Sequence, residues 1–352
     1  MRAIGLMSGT SLDGVDAALV ETDGVHVRPL RALTLPYAAD FSRRMRALLE
    51  RAPSLPADDS ELAALTRALT ERHAEAVHAL GERAQIIGFH GQTILHRPAE
   101  RRSWQIGDAH WLAARTGMPV AWDFRSADVA AGGEGAPLAP LIHAALAEGL
   151  EKPLAVLNLG GVANVSWIGP DGALLACDTG PANGPLDDVA HRHLGVGRDE
   201  GGRLALSGRA DAAVLQSLLA DPYFARPAPK SLDRLDFSRR IAASGLASLA
   251  PADQAATLVA FAAEAVAGTA WPSPPRRWLV TGGGRHNAAL MQALRARLGD
   301  VRPVEAVGWD GDALEAQCFG LLAVRVLRGL PLSFPGTTGV GRPMPGGRIS
   351  AP

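Results

Sequence analysis

Hydrophobic residues along the chain form short runs that end at glycine-rich turns. Residues 154–159 and 162–168 are two such runs on either side of Gly160-Gly161, which predicts two buried strands joined by a tight turn. Residues 4–7 and 15–20 repeat the arrangement around a turn of small residues at 8–14. The chain therefore contains two similar strand–turn–strand segments, one near each end of its first half.

The remaining pattern predicts alternating helices and strands. Residues 58–81 have apolar positions at helical spacing, with Asp58, Asp59 or Ser60 as a cap and Gly81 as the end. Helices are also predicted at 108–116, 138–150, 186–193, 209–219, 253–269, 287–298 and 312–327. Further strands are predicted at 86–89, 120–122, 173–177 and 278–281. Residues 1–35 are predicted to form a β-meander, and residues 222–237 and those from 331 onward are predicted to be loops. The alternation is typical of α/β layers.

Length and composition favour two domains in one α/β chain. The chain has 352 residues, 47% of them hydrophobic, so we expect domains at 1–150 and 151–352. The net charge of −1 gives no reason to expect a nucleic acid or an anionic membrane as partner. Two cysteines suit a reducing compartment, and the alanine-rich run at 255–270 is too short to span a membrane. We expect a cytoplasmic protein.

The turn Ser8-Gly9-Thr10-Ser11-Leu12-Asp13-Gly14 is a candidate phosphate site. Its small residues let backbone N–H groups approach a phosphate, and Asp13 could hold Mg²⁺ through water. An ordinary hairpin turn explains the same residues equally well. The GxxxxGK[ST] pattern is absent, so a nucleotide would have to be held in another way.

Other candidates each have a simpler explanation. Asp178 precedes Gly180-Pro181 at the end of a predicted strand, which suits a catalytic base but also an Asx-turn. Gly282-Gly283-Gly284, between a strand and a helix, could pack under an adenosine or be a flexible turn. Glu315 could be a cap carboxylate in a helix capped by Asp312. Arg125 could pair with Asp128, and Lys230 could be a surface charge.

Short motifs follow one another in order over nearly the whole chain. They are MSGTSLDGVD (7–16), FHGQT (89–93), QIGD (105–108), DFR (123–125), GAPL (135–138), NLGGVANVS (158–166), DTGPANGPLD (178–187), APKS (228–231), TGGGRHN (281–287) and EAQCF (315–319). In their order and spacing these motifs resemble the anhydro-N-acetylmuramic acid kinase family of the actin, Hsp70 and hexokinase-like superfamily. The resemblance implies two related ribonuclease H-like domains around a central cleft for ATP and substrate.

The resemblance also implies cofactors and roles. ATP with Mg²⁺ is expected on Gly9, Thr10, Ser11, Leu12, Asp13, Gly14, Val15, Asp16, Gly160, Gly161, Asn164, Gly282, Gly283, Gly284 and Asn287. Thr93, Arg125, Lys230 and Glu315 are expected to contact the sugar, with Asp13 at the metal. Asp178 is expected to activate water that attacks C1 of 1,6-anhydro-N-acetylmuramic acid while O6 takes the γ-phosphate. The product would enter peptidoglycan recycling.

Two motifs depart from the family pattern. The usual DTGPGN reads DTGPAN, and if that position needs a positive φ, Ala182 costs roughly 1 kcal/mol. The usual KSTGR reads Lys230-Ser231-Leu232-Asp233-Arg234, which affects the contacts of this loop. The alternatives are a kinase of another sugar hydroxyl and an ATP-driven binding protein of the Hsp70 or actin kind. Oligomeric state stays open, with a homodimer as one option.

Overall fold

The protein is described by a computed structural model that covers residues 1–9, 11–56, 58–232 and 234–352, with the side chains of 234–236 outside the description. The strands are β1 Arg2–Ser8, β2 Gly14–Thr22, β3 Val27–Pro36, β4 Ile86–Arg97, β5 Arg102–Ile106, β6 Val120–Trp122, β7 Leu154–Leu159, β8 Val162–Ile168, β9 Leu174–Pro181, β10 Arg277–Thr281, β11 Val301–Pro303 and β12 Arg348–Ser350.

The α-helices alternate with these strands. They are α1 Ala39–Arg51, α2 Ser60–Leu80, α3 Ala109–Thr116, α4 Ser126–Ala130, α5 Pro140–Leu146, α6 Asn183–Leu194, α7 Arg203–Leu206, α8 Ala212–Leu219, α9 Pro222–Ala225, α10 Arg234–Ala243, α11 Pro251–Ala267, α12 Ala288–Leu298, α13 Leu314–Leu327 and α14 Pro335–Thr338.

The chain divides into two compact units. Unit 1 comprises residues 1–148 and 312–352, and unit 2 comprises residues 149–311. The first boundary lies close to the one expected at residue 150. The segment 312–352, expected in the second domain, instead belongs to unit 1, because α13 packs on β1, β2 and β4 and β12 pairs with β6.

The two units share the topology of five sheet strands, to which unit 1 adds β5, antiparallel to β4, and β12, antiparallel to β6. In unit 1 the strand order is β12-β6-β4-β1-β2-β3, with β1, β2 and β3 antiparallel and β4 parallel to both β1 and β6. In unit 2 the order is β11-β10-β7-β8-β9, with β7, β8 and β9 antiparallel and β10 parallel to both β7 and β11. Each unit is thus an antiparallel meander extended by parallel strands, and the prediction of two related α/β domains is confirmed.

Each unit has its own hydrophobic core. In unit 1, Ile4, Leu6 and Val15 of the sheet pack with Val77 of α2 and Leu112 of α3. In unit 2, strand residues such as Leu157 and Val165 pack with Leu258 of α11 and Leu290 of α12. The alanine-rich α11 is therefore a core helix, as its length indicated. Among the described residues, no helix is both long enough and apolar enough to cross a bilayer.

Unit 1 brings α13 unusually close to its sheet at two glycines. A Cβ atom on Gly5 of β1 would lie well inside 3.0 Å of backbone atoms of Ala316 and Gly320. A Cβ atom on Gly88 of β4 would meet the backbone of Phe319 in the same way. Glycine is required at these strand positions because the helix backbone occupies the volume that a side chain would need.

Several predicted elements differ from the structure. Helix α1 was missed because its N-cap is Ala38, which offers no capping side chain. The segment 222–237, predicted as loop, contains α9 and the start of α10, and Asp221 caps α9 by accepting the N–H of Tyr223. The tail after residue 331 contains α14 and β12. The helix expected at 138–150 is confined to α5.

Candidate functional site

The first glycine-containing turn lies between β1 and β2 in unit 1. Leu12 anchors it: its side chain is buried in a cluster with Met45 and Leu48, and its carbonyl accepts the hydroxyl of Ser42 at 2.8 Å. Leu12 has φ 58°, a left-handed conformation that costs a non-glycine residue energy. Ser11 and Asp13 are exposed beside it. The turn thus offers polar groups to solvent from a fixed base, while Thr10 lies outside the described residues.

Side chains behind this turn form a hydrogen-bonded network. Ser8, at the end of β1, donates its hydroxyl to Oε1 of Gln92 at 2.7 Å and accepts one from Tyr37 at 2.8 Å. On β2, Asp16 accepts a hydrogen bond from Thr34 at 2.6 Å. Ser8 and Gln92 are buried, so the network fixes the end of β1 against β4.

Two predicted sugar-contacting residues of unit 1 lie just beyond the parallel-paired part of a strand. Thr93 is in β4, where its hydroxyl accepts a hydrogen bond from Gln105 at 3.1 Å. Arg125 follows β6 and donates Nη1–H to the carbonyl of Gly135 at 2.8 Å. The expected pairing of Arg125 with Asp128 is not an ion pair among the described residues; Asp128 instead accepts the N–H of Gly135 at 2.6 Å. This edge of an α/β sheet is where ligands bind.

Glu315 is exposed in the first turn of α13. The N-cap of this helix is Ala313, so the capping arrangement with Asp312 suggested by the sequence is wrong. Surrounding protein partly desolvates the carboxyl group and, with the negative charge of Asp16, raises the pKa of Glu315, while Arg125 acts in the opposite direction. Asp16, Arg125 and Glu315 therefore lie within electrostatic range of one another.

Three polar side chains cross the sheet of unit 2 in one row. Asn158 of β7 lies opposite Asn164 of β8, and Asn164 lies opposite Asp178 of β9. Directly opposed residues of antiparallel strands project from the same face. Thr179 is the extra residue of a β-bulge, because the register shifts between Ala163 and Asn164. Asp178 was expected after the end of its strand; it lies within β9 beside this bulge, a common feature next to active sites.

The segment 223–232 holds Asp178 at three points. The N–H of Asp178 donates to the carbonyl of Lys230 at 2.9 Å, and its own carbonyl accepts the hydroxyl of Tyr223 at 2.6 Å. The N–H of Leu232 donates to Oδ2 of Asp178 at 2.9 Å. Burial, followed by the charge of Asp178, raises the pKa of Tyr223, so its hydroxyl remains a donor. The backbone and the carboxylate of Asp178 are therefore both fixed.

Lys230 is buried, so the expectation of a surface charge is wrong. Its Nζ donates to the carbonyl of Tyr223 at 3.1 Å and lies 4.6 Å from the centre of the Tyr223 ring. Burial lowers the pKa of Lys230. The ammonium group is thus directed into the protein behind Asp178, where it fixes the segment that carries Tyr223.

Tyr223→Phe tests whether this segment positions Asp178. The change removes only the hydroxyl that binds the Asp178 carbonyl. If Asp178 reacts as the family resemblance implies, we expect kcat to fall roughly 10-fold while KM changes by less than about 3-fold, because a small displacement of a reacting group slows the chemical step. Steady-state kinetics separates the two constants. A KM increase with unchanged kcat would mean that Tyr223 supports ligand binding and not the position of Asp178.

The Gly160-Gly161 turn accepts the first N–H groups of α6. The carbonyl of Gly160 binds the N–H of Asn183 at 2.9 Å, and that of Gly161 binds the N–H groups of Ala182 and Gly184. Ala182 has φ −128°, so the position does not need a positive φ and alanine carries no such cost here. The turn itself is open: a Cβ on Gly161 would meet nothing within 4 Å.

The Gly282 turn follows β10, the strand that pairs in parallel with β7. Gly282 has φ 75°, and a Cβ on it would collide with Oδ1 of Asn158. A Cβ on Gly284 would collide with Leu159, whereas one on Gly283 would meet nothing within 4 Å. Asn287, expected at the nucleotide, caps α12 by accepting the N–H of Leu290 at 3.1 Å. The three glycines thus differ: two allow close packing, and one leaves open space.

The described residues contain no cluster of three or more His, Cys, Asp or Glu side chains that could hold a metal ion. Among the described residues of the unit 1 turn, Asp13 supplies an exposed carboxylate. This donor set fits Mg²⁺, which commonly uses one or two carboxylates together with water and substrate phosphates.

The two cysteines, Cys177 and Cys318, are free and buried.

Within each unit the structure gathers the predicted residues at one sheet edge. Unit 1 collects Asp16, Arg125 and Glu315, and unit 2 collects Asn164 and Asp178 beside the two glycine turns. The sequence analysis missed Asn158 and Tyr223. Asn158 lies opposite Asn164 because Leu159 pairs with Ala163, which leaves residues 160–162 between the strands. The two-residue turn suggested by Gly160-Gly161 would instead place Ala163 opposite Asn158, so the sequence did not reveal this pair. No local sequence pattern indicates that Tyr223 contacts the site.

Two units of one topology, each with open polar turns at the carboxyl ends of parallel strands, define a two-domain α/β enzyme of the phosphate-binding class. The family model for anhydro-N-acetylmuramic acid kinase matches residues 1–351. The chain belongs to the anhydro-N-acetylmuramic acid kinase family, and it is a kinase.

Similar proteins cover the chain from end to end. It is 64% identical over 354 residues to an anhydro-N-acetylmuramic acid kinase of Acidiphilium cryptum, covering 100% of this chain and 99% of the relative. It is 57% identical to the protein of the same name from Gluconobacter oxydans, and the match covers 98% of this chain and 99% of that relative. A ROK family glucokinase from Streptomyces griseus, solved with glucose and AMPPNP, aligns over 92% of this chain and 99% of its own with 15% identity and a TM-score of 0.43.

Proposed function

We propose that this protein is an ATP-dependent kinase that opens 1,6-anhydro-N-acetylmuramic acid with water and phosphorylates O6. The product would be N-acetylmuramic acid 6-phosphate, formed during recycling of cell-wall peptidoglycan. The observation that carries the proposal is the end-to-end match to the family, with 64% identity to a relative of that name. The free, buried cysteines are compatible with action in the cytoplasm. A homodimer stays a prediction.

For ATP, we propose binding to the open turns. The exposed residues of the β1–β2 turn, with Asp16 behind them, and the Gly160-Gly161 turn have the small side chains that phosphate binding by backbone N–H groups needs. The open space at Gly283 is compatible with an adenosine lying against that turn. Mg²⁺, held through Asp13 and water, would neutralise charge on the transferred phosphoryl group. Asn287 would act by fixing the start of α12.

In the proposed reaction, Asp178 is the base. It accepts a proton from the water molecule whose oxygen bonds to C1, and the bond between C1 and O6 breaks. O6 then bonds to the γ-phosphorus, and ADP leaves with the electrons of the broken phosphoanhydride bond. The two steps are coupled, because the oxygen that leaves C1 in the first step is the nucleophile that attacks the γ-phosphorus in the second. Water approaches C1 from the side opposite O6, so the configuration at C1 inverts.

The polar residues of unit 1 would hold the sugar. Thr93 and Glu315 offer oxygen atoms to hydroxyl groups, and the guanidinium group of Arg125 suits the lactyl carboxylate. Lys230, expected to contact the sugar, has Nζ in contact with the backbone carbonyls of Tyr223 and Phe224. We therefore propose that Lys230 acts indirectly, by fixing the segment that holds Asp178.

The test is release of ADP with different sugars. We expect rapid release with 1,6-anhydro-N-acetylmuramic acid and release slower by at least roughly 100-fold with N-acetylmuramic acid, because only the bridged sugar supplies O6 as a leaving oxygen at C1. Equal rates with the two sugars would indicate a kinase of an ordinary hydroxyl. Equal rates with and without sugar would indicate an ATPase, and either result would contradict the proposal.

A further inference from the structure

Arg125 is held by neutral groups. Its Nε and Nη2 lie 3.2 Å and 3.0 Å from Nε2 of His90, and its Nη1 donates to the carbonyl of Gly135 at 2.8 Å. No ion pair to Arg125 occurs among the described residues. A guanidinium group has five N–H donors, so three contacts leave one N–H on each Nη atom. Arg125 is thus fixed in place while its charge is not cancelled by a contacting carboxylate.

The contacts of His90 define its tautomer. Nδ1 lies 2.9 Å from the carbonyl oxygen of Gly91, which can only accept, so Nδ1 carries the hydrogen. Nε2 faces a guanidinium group, which can only donate, so Nε2 presents its lone pair. The ring is buried and packs 4.5 Å from the ring of Phe319. Burial and the positive charge of Arg125 hold the pKa of His90 well below its ordinary value, so the ring is neutral.

Asp128 fixes the other acceptor of Arg125. Its Oδ1 accepts the N–H of Gly135 at 2.6 Å, and its Oδ2 accepts the hydroxyl of Thr338 at 2.6 Å and that of Ser333. The carboxylate is buried and connects the glycine-rich loop to the C-terminal tail. The Gly135 carbonyl is therefore fixed from behind, and both acceptors of Arg125 belong to rigid structure.

We propose that His90 is a positioning residue that orients Arg125 for an anionic group of the substrate, a role that rests on the proposed function. A carboxylate at the same place would fix Arg125 equally well, but it would neutralise the guanidinium charge and compete with the ligand. A neutral imidazole with one defined lone pair orients the cation and leaves its charge to the substrate carboxylate. The sequence analysis included His90 only as part of the FHGQT motif at 89–93.

Two substitutions of His90 test the contributions of its two ring nitrogens separately. In His90→Asn the amide reaches about as far as Nδ1, so it keeps a donor for Gly91 and loses the acceptor for Arg125. In His90→Gln the amide oxygen reaches about as far as Nε2 and restores that acceptor. His73→Leu is the matched control: the His73 ring is also buried, and its Nδ1 lies 2.8 Å from the Leu69 carbonyl, yet no contact with Arg125 exists among the described residues.

The measurement is KM for 1,6-anhydro-N-acetylmuramic acid and for ATP, with thermal unfolding of each variant. We expect His90→Asn to raise the sugar KM roughly 10- to 100-fold, as for loss of a hydrogen bond to a charged group, with the ATP KM within about 3-fold. His90→Gln and His73→Leu should stay within about 3-fold for both ligands. The neutral 1,6-anhydro-N-acetylglucosamine, which lacks the lactyl carboxylate, should respond less to His90→Asn than the acidic sugar does.

An unchanged sugar KM in folded His90→Asn would overturn the inference, as would an equal loss in His90→Gln, since an acceptor would then be irrelevant. If His90→Asn is too unstable to assay, His90→Gln decides: a sugar KM near that of the wild-type protein supports the inference, and a 10-fold increase contradicts it. Failure of the wild-type protein to use the anhydro sugar would reject the proposed function, which the variants do not test.

Discussion

Asp178→Asn should lower turnover by roughly 10²- to 10⁴-fold while the affinities for ATP and sugar survive, as expected for loss of a general base. The amide keeps the size of the carboxylate and an oxygen that can accept the N–H of Leu232, but it cannot take a proton from water. The backbone contacts to Tyr223 and Lys230 do not depend on the side chain. Turnover and calorimetric affinities on one preparation measure both effects.

Asp171→Asn is the matched control for Asp178. Asp171 is exposed in the β8–β9 turn, where Oδ1 accepts the N–H of Ala173 at 3.0 Å, an interaction that Asn also makes. We expect normal turnover and stability from this variant. If Asp178→Asn behaves like Asp171→Asn, then Asp178 has only a structural role in β9 and the catalytic role must be abandoned.

Gly5→Ala should produce the largest loss of stability. The added methyl group would occupy the volume of the α13 backbone at Ala316 and Gly320, and backbone atoms cannot move aside as a flexible side chain can. We expect a cost at or above the upper end of the roughly 1–3 kcal/mol range for overpacking, and a fall of about 6 °C or more in the unfolding midpoint of unit 1. Because α13 carries Glu315, sugar affinity should fall as well.

Gly341→Ala is the control for Gly5→Ala. It lies in unit 1, its φ is outside the left-handed region, and an added Cβ would meet nothing within 4 Å. Its midpoint should stay within about 1 °C, as for surface changes below about 0.5 kcal/mol. Calorimetry of both variants tests the packing argument. Equal midpoints would show that α13 can move away from the sheet at little cost.

The sequence predicted what is determined by local signals. Helix α2 is capped by Asp59, one of the three capping candidates, and ends at Gly81 in the left-handed conformation, which was identified from residue type. The strand–turn–strand segments were likewise found because glycines interrupt apolar runs. Their equivalence, predicted from two similar turns, is confirmed by the shared strand order of the two units.

What the sequence did not reveal depends on contacts between distant residues. Strand β12 has only Arg348–Ser350, too short for a pattern, and exists because it pairs with β6. Burial of Lys230 follows from the position of Tyr223, and the contact between Tyr223 and Asp178 joins residues far apart in the chain. The Asp128 network similarly connects α4 to Ser333 and Thr338. Residue types and their spacing do not indicate such long-range contacts.

The coupled opening and phosphorylation can be tested directly by running the reaction in ¹⁸O-labelled water and analysing the sugar phosphate by mass spectrometry at early times. The account predicts one label on the C1 hydroxyl and none on the phosphate, because water attacks C1 and O6 attacks ATP. Unlabelled product kept in the same water measures the background exchange at C1. Label on the phosphate, or a C1 label no higher than this background, would contradict the mechanism.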